Sequence, residues 1–417
     1  MRSMANLPSV QSGLKDKLAV LKGRSSQNTT STETIADDLR RRLQASSRKA
    51  AINQNKPDDE QLAGILGAEV LGRGVILRRT VVPLGRQHGM FRIEPVSQRA
   101  LGLPELDGLS MQRLLFFDTE TSGLSGGTGT QAFIIGLASL DQQAGHVDVS
   151  QFLLTAFCGE QLMLRFVAEI VNQHDVLVSY NGKSFDSPLL ATRYRMQGEK
   201  DPFSHLQHLD LLHPVRRLFR QLWKDCRLAR VESELLGFQR TDDLPGSQAP
   251  EVWFEWMRFG RYQRLDAVLR HNYWDLLSLL VALNRLSTLI AAPSASQISL
   301  SALAKWYRDT GLFDVSHAVL EKNRTILDHE GLLALAASYR RQRQWEQAAE
   351  IWKVLATDGC LTSEEQLAKY YEHRLRDFES ALSSTKRLMC SDRHNSAYQH
   401  RFIRLQQKLH LRHLQLV

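Results

Sequence analysis

Apolar and polar positions divide the chain into three regimes. Between residues 111 and 290, short apolar runs at strand length alternate with stretches of helical period. Residues 113–117, 132–140, 147–157, 176–180 and 208–212 predict strands, the second and third joined by a polar turn over 141–145. Residues 160–173 and 187–196 predict helices, and from the fifth strand to about Ile290 the chain reads as helical throughout. Three strands followed by strand–helix alternation predict an α/β fold with a mixed five-stranded sheet flanked by helices.

Residues 298–417 carry no strand signal. Tyr307, Tyr339 and Tyr371 stand thirty-two apart, Phe313, Trp345 and Phe378 follow at nearly that interval, and small residues recur behind them (Ala318, Ala348, Ala381). This period resembles tetratricopeptide-type helix hairpins, which stack to bury a shared core; a plain helical bundle is the alternative. At the other end, residues 1–60 are polar and charged, with a short amphipathic piece over 37–43, and predict a disordered basic tail. Residues 75–77 and 80–82 predict short strands before a turn at His88-Gly89, within an extension over 61–110 that packs on the next domain. The expected divisions are therefore 1–60, 61–110, 111–292 and 298–417.

A chain of 417 residues exceeds one small core, in keeping with several domains. The formal net charge is +8, and the first fifty residues hold ten Lys/Arg against four acids. Such an arm suits nucleic acid or another acidic surface, or is simply a solvated tail. Cys158, Cys226, Cys360 and Cys390 are scattered with no CxxC pair, which excludes a zinc ribbon or a disulfide framework and fits a reducing cytoplasm. No apolar stretch follows the N-terminal charges, so no secretory leader is expected. The longest apolar run, 276–292, is interrupted by Asn284 and Arg285 and reads as a buried helix, not a membrane span.

The candidate chemistry begins at Leu114-Leu115-Phe116-Phe117-Asp118-Thr119-Glu120. An uninterrupted apolar run is suited to a strand buried on both faces, and period-two geometry puts Asp118 and Glu120 on one side of its end. Two carboxylates so close repel each other, and a divalent cation relieves the conflict. Similar pairs, Asp58/Glu60 and Asp328/Glu330, follow no apolar strand. A second apolar strand leads through a polar turn to Asp186, and a third stretch, His271-Asn272-Tyr273-Trp274-Asp275, puts His271 and Asp275 on one helix face. Each alone reads equally as a helix-start acid or a surface histidine. Together they make a four-carboxylate set whose hard oxygens suit Mg²⁺ or Mn²⁺, and two such ions can drive phosphodiester hydrolysis.

These residues resemble the DEDD exonucleases of the ribonuclease-H-like superfamily, and more closely its YprB-like members. The shared phrases are Asp118-Thr119-Glu120-Thr121-Ser122-Gly123-Leu124-Ser125-Gly126-Gly127-Thr128-Gly129-Thr130, Tyr180-Asn181-Gly182-Lys183-Ser184-Phe185-Asp186, His208-Leu209-Asp210-Leu211-Leu212-His213, Asp243-Leu244-Pro245-Gly246 and His271-Asn272-Tyr273-Trp274-Asp275. The resemblance implies two metal ions, with Asp118 bridging them, Glu120 and Asp275 on the nucleophile side and Asp186 on the other. It implies a base at His271, with Tyr273 as the alternative because the histidine spacing departs from that of better-known branches. Thr119, Asn181, Lys183 and Tyr273 become substrate contacts, and Asp210 an accessory residue. The implied activity is 3′–5′ exonucleolytic cleavage of single-stranded DNA or RNA. A non-catalytic nucleic-acid adaptor that recruits a protein through the helical repeats, or an endonuclease of ribonuclease H type, are the alternatives. The Gly-rich run 123–130 lacks a P-loop ending and reads as a strand connection. Arg216, Arg220, Lys224 and Arg227 fall on one predicted helix face opposite Leu218, Phe219 and Leu222, as a phosphate stripe or a solvated side.

Overall fold

The computed structural model describes residues 56–95, 113–123, 128–141, 143–294 and 296–414. Most of the expected basic tail lies outside them. Its last residues do not continue a disordered tail: Asp58 accepts a hydrogen bond from the Gln61 amide and caps helix α1, Asp59–Leu66. The Asp59 carboxylate then ties this helix inward, accepting from the Gly74 amide at 2.8 Å and the Thr155 hydroxyl at 2.5 Å.

Strands β1 (Glu69–Gly72) and β2 (Val75–Pro83) follow, then a small ribbon of β3 (Gln87–His88) and β4 (Phe91–Arg92). The two short strands expected over 75–82 are one continuous strand. It does not pack on the next domain as a separate layer; it pairs with that domain's sheet along its full length, from Val75 opposite Leu154 to Pro83 opposite His146. The charges that interrupt its apolar pattern face outward, where Arg78 pairs with Asp266 and Arg79 with Glu69.

The sheet continues with β5 (Leu114–Thr121), β6 (Ala132–Asp141) and β7 (His146–Leu154), then α2 (Glu160–Val171), β8 (Val176–Ser179), α3 (Asp186–Met196), β9 (Gln207–Asp210) and α4 (Leu212–Phe219). It has seven strands in the order β1-β2-β7-β6-β5-β8-β9, so the mixed sheet flanked by helices gains two edge strands over the five expected. β5, β8 and β9 run parallel, and the remaining pairs are antiparallel. Alternation along β5 serves two cores: Leu114 and Phe116 pack on one face of the sheet, Leu115 and Phe117 on the other.

The chain is not helical throughout from here to Ile290. A short helix at Leu228–Arg230 passes into a π turn, Val231–Leu236, which Gly237 ends at φ 59°. An irregular stretch over 237–245 follows, before α5 (Ala249–Phe259) and the long α6 (Leu265–Ala291). α6 crosses β5, β6 and β7. Among the described residues it is the one helix long and apolar enough to cross a membrane, and 72% of its apolar window is buried within the fold. Similarly, α4 ends at Phe219, so Lys224 and Arg227 do not continue its basic face, and Leu222 is exposed.

The all-α region comprises α7 (Leu300–Asp309), α8 (Phe313–Lys322), α9 (His329–Arg341), α10 (Trp345–Thr357), α11 (Leu361–Tyr370), α12 (Phe378–Ser391) and α13 (Ser396–Leu414). Phe313, Trp345 and Phe378 each open the second helix of a hairpin, and each ring carries a cation from further along: Arg341, Arg374 and Lys408. Ala348 and Ala381 are buried three residues after that aromatic, but the matching position in the first hairpin is Ser316, not Ala318, which is exposed. The Ser316 hydroxyl keeps its place by donating to the Ala304 carbonyl at 2.8 Å. The first hairpin is not separate from the sheet: Leu303, Trp306 and Tyr307 join the core built on α4 and α6.

Trp253 in α5 anchors the opposite face, stacked on Phe133 at 5.0 Å and donating to the Leu154 carbonyl at 2.8 Å. Truncation by Trp253→Ala should cost about 3–5 kcal/mol. Denaturant unfolding measures it, and a midpoint equal to wild type would show that this face contributes little.

Candidate active site

Parallel pairing sets the site. β5 and β8 run side by side with Phe116 opposite Val178, so both C-terminal ends emerge at one edge of the sheet. β5 delivers Asp118 and Glu120 there, on the parity of Leu114 and Phe116. β8 leads through the turn after Ser179, where Asn181 takes φ 66°, to Asp186, the first residue of α3. α6 lays His271, Asn272 and Asp275 across the same edge. Asp118, Thr119, Glu120, Asn181, Asp186, His271 and Asp275 all line one cavity of about 500 Å³, with Phe185, Leu189 and Pro250 at its apolar side.

The acids are held individually. Asn272, fully buried, donates to Asp118 Oδ2 at 2.8 Å, and its own Oδ1 accepts from Gln151 at 2.8 Å. Space for that amide comes from Gly136, opposite Asp118 in β6: a Cβ there would sit 2.2 Å from Asn272 Oδ1. The Thr119 hydroxyl donates to Asp186 Oδ1. The Arg240 guanidinium contacts Asp275 and also spans Glu232 at 2.6 and 2.9 Å, while Glu232 accepts from Ser278 at 2.5 Å.

His271 lies between two carboxylates. Its Nδ1 is 2.9 Å from both oxygens of Asp243, and its Nε2 is 3.5 Å from Asp275 Oδ2. The Arg240 guanidinium also stands 3.1 Å from Nδ1; in the tautomer whose Nδ1–H is donated to Asp243, the Nε2 lone pair faces the cavity. Gly246 borders that nitrogen; a Cβ there would stand 3.2 Å from Nε2.

Charge repulsion and burial both oppose ionisation of this set. Burial, then the charges of Asp275, Glu120 and Asp186, holds Asp118 well above the usual carboxylate range, with the Asn272 amide opposing. Burial, then Asp275 and Asp186, does the same to Glu120. Burial pushes Asp186 up to about 6, against the Thr119 hydrogen bond. One ligand atom each from Glu120, His271 and Asp275 lies within 4.8 Å of the others, which fits a cation bound by oxygen and imidazole.

Three residues named from the sequence lie outside this cavity. Tyr273, two residues from His271 and so about 200° round the helix, lines a different cavity, where its hydroxyl accepts from Arg86 at 3.3 Å. Of the two candidate bases, His271 alone stands beside the acids. Lys183 is exposed and lines a neighbouring cavity with Arg216 and Arg220. Asp210 is buried and accepts from the Asn181, Lys183 and Leu212 amides, so it shapes the turn without entering the acid cavity. Of the Gly-rich run, Gly123 and Thr130 line the cavity, and residues 124–127 lie outside the described residues. Sequence reasoning missed Arg240, Asp243 and Glu232, because a helix was expected where an irregular segment carries two of them. The Asp243-Leu244-Pro245-Gly246 phrase was the available signal, since a Pro-Gly pair argues against helix.

A family model described as RNase_H superfamily matches residues 115–287. The chain is 32% identical over 330 residues to "Uncharacterized protein YprB" of Bacillus subtilis (strain 168), spanning 74% of this chain and 78% of that protein. Among solved structures it is similar to the family B DNA polymerase from the archaeon Pyrobaculum calidifontis, at 14% identity and a TM-score of 0.36 over 61% of this chain. It spans 36% of that polymerase's length. The superfamily match and the Glu120–His271–Asp275 cluster support a nuclease-type role and contact with nucleic acid in general. With a relative this similar along most of both chains, the protein belongs to the YprB-like family of the ribonuclease H superfamily.

Proposed function

We propose that the chain is a metal-dependent 3′–5′ exonuclease that hydrolyses single-stranded DNA or RNA to nucleoside monophosphates. The observation that carries this reading is the meeting of Asp118, Glu120, Asp186 and Asp275, from three separate elements, with His271 in one cavity. Asp118, Glu120, Asp186 and Asp275 would hold two Mg²⁺ or Mn²⁺ ions. Bound there, the ions would supply Lewis-acid stabilisation of phosphoryl charge and ease ionisation of the attacking water. His271 Nε2 accepts that water's proton, with Asp243 stabilising the imidazolium through Nδ1. Asn272 aims Asp118, Thr119 aims Asp186, and Arg240 keeps Asp275 in place. Thr119 and Asn181 line the cavity and are read as substrate contacts. Phe185, 56% exposed at the cavity, offers a ring on which an unpaired base can stack, which favours a single strand. Polarity rests on the resemblance.

The catalytic unit is assigned to 111–292, with β1 and β2 completing its sheet. The hairpins over 298–417 are assigned to a tetratricopeptide-type scaffold whose surface takes a protein partner. Four free cysteines support a cytoplasmic, reducing location.

End-labelled oligonucleotides with Mn²⁺ test the activity. Wild type should shorten them from the 3′ end, Asp118→Ala should not, and His271→Ala should lower kcat roughly 10²–10⁴-fold. Degradation by Asp118→Ala at the wild-type rate would sink the site, and binding without cleavage by wild type would leave an adaptor.

The raised carboxylates also set a pH dependence. A folded-state pKa above the unfolded value adds stability at low pH that is lost as pH rises through the folded value, here about 6 for Asp186, with Asp118 and Glu120 raised in the same direction. Thermal melts of metal-free protein should therefore rise as pH falls from 7 to 5, and Mn²⁺ should stabilise more at pH 7 than at pH 5. A metal-free melting temperature that falls over that interval, with an equal Mn²⁺ effect at both ends, would contradict the buried-acid picture.

A further inference from the structure

On the far side of the turn that carries Asn181 and Phe185 lies a second cavity, about 370 Å³. Its wall is one face of α4: His213, Arg216, Arg217 and Arg220 recur at the three- and four-residue steps that share a helix face, while Val215, Leu218 and Phe219 fill the buried side. Lys183 joins them from the turn. Arg217 is braced by Trp306 of α7, its guanidinium 4.9 Å from the ring centroid.

An ordinary solvated helix face disperses its charge or pairs it with carboxylates. Here the one bordering carboxylate is Asp210, whose oxygens accept from three backbone amides, at 2.7, 3.0 and 3.1 Å. Among the described residues, no carboxylate pairs with Lys183, Arg216 or Arg220. Concave, cationic and uncompensated, the cavity has the chemistry of a polyanion site. Its position selects the polyanion. Asn181 and Phe185 line the acid cavity and Lys183 lines this one, so one five-residue turn is the wall between them.

We propose that this cavity is a phosphodiester-backbone subsite, which grips the nucleic-acid strand outside the acid cavity and feeds its end past the turn. The proposal rests on the nuclease reading above and adds where the rest of the strand is held. Arg216 and Arg220 act as phosphate ligands, not catalytic residues, and Lys183 takes the phosphate nearest the turn.

Anisotropy of a labelled single-stranded 20-mer, titrated with the full-length protein in EDTA, tests this without turnover. Arg216→Gln/Arg220→Gln should weaken binding roughly tenfold near about 0.1 M salt and flatten the log–log salt slope by about 1.4, two phosphate contacts on a single strand. Lys183→Gln, on the turn and not on α4, should flatten it by about 0.7 and keeps the test open if the double variant misfolds. Mn²⁺ calorimetry on the same proteins reads the acid cavity separately and should match wild type. Variants that bind with wild-type affinity and slope would overturn the subsite alone. A wild-type protein that takes up no strand would overturn the nuclease reading and the subsite together.

Discussion

Four carboxylates held in one partly enclosed cavity are the constraint around which the sheet and α6 are arranged. Burial and mutual repulsion both oppose their ionisation, and in Asp118 and Glu120 the two effects reinforce each other. A fold can keep such groups only by fixing each one against rearrangement. The Asn272 amide, the Thr119 hydroxyl and the Arg240 guanidinium do this, and each is itself held by a further buried partner or by the strand that carries it. The stability given up at the cavity is recovered in the two apolar layers on either face of β5 and β8.

The same logic explains small details remote from the acids. Gly136 stands where any side chain would push Asn272 off Asp118. Gln151, buried on β7, donates to both Asn272 and the Leu269 carbonyl, locking α6 to the sheet at the level of the site. Outside the cavity, Glu160 and Arg193 form a buried bidentate pair, and Arg193 also donates to the Thr128 carbonyl at 2.9 Å. That contact anchors the end of the Gly-rich connection beside the cavity.

The helical hairpins are coupled to this centre and not merely attached to it. Ile298, Leu303 and Trp306 lie in the core that contains Leu276 and Leu286 of α6, and the Ser299 amide donates to the Leu218 carbonyl at the end of α4. Farther out the hairpins depend on charge. Glu372, its side chain fully buried, accepts from Arg404 and Lys408, both at 2.8 Å, which fastens α13 to the preceding turn. Arginine and lysine over the opening aromatics repeat the device at each hairpin.

Local pattern was enough to read the strands β5 to β9, the acids at the end of β5, and the aromatic period of the hairpins, because each depends on spacing within one element. It was also enough to name Asp186, His271 and Asp275 as candidates, through the phrases that contain them. The pattern failed where partners are distant. That β2 is one continuous strand depends on its pairing with β7, and its interrupting arginines resemble a break until Asp266 and Glu69 are seen beside them. That His271 and not Tyr273 faces the acids depends on which side of α6 meets the sheet. Arg240 and Asp243 reach the site from an irregular segment with no periodicity to read. Spacing along a chain fixes direction within a helix or strand; which directions converge is decided only when those elements pack.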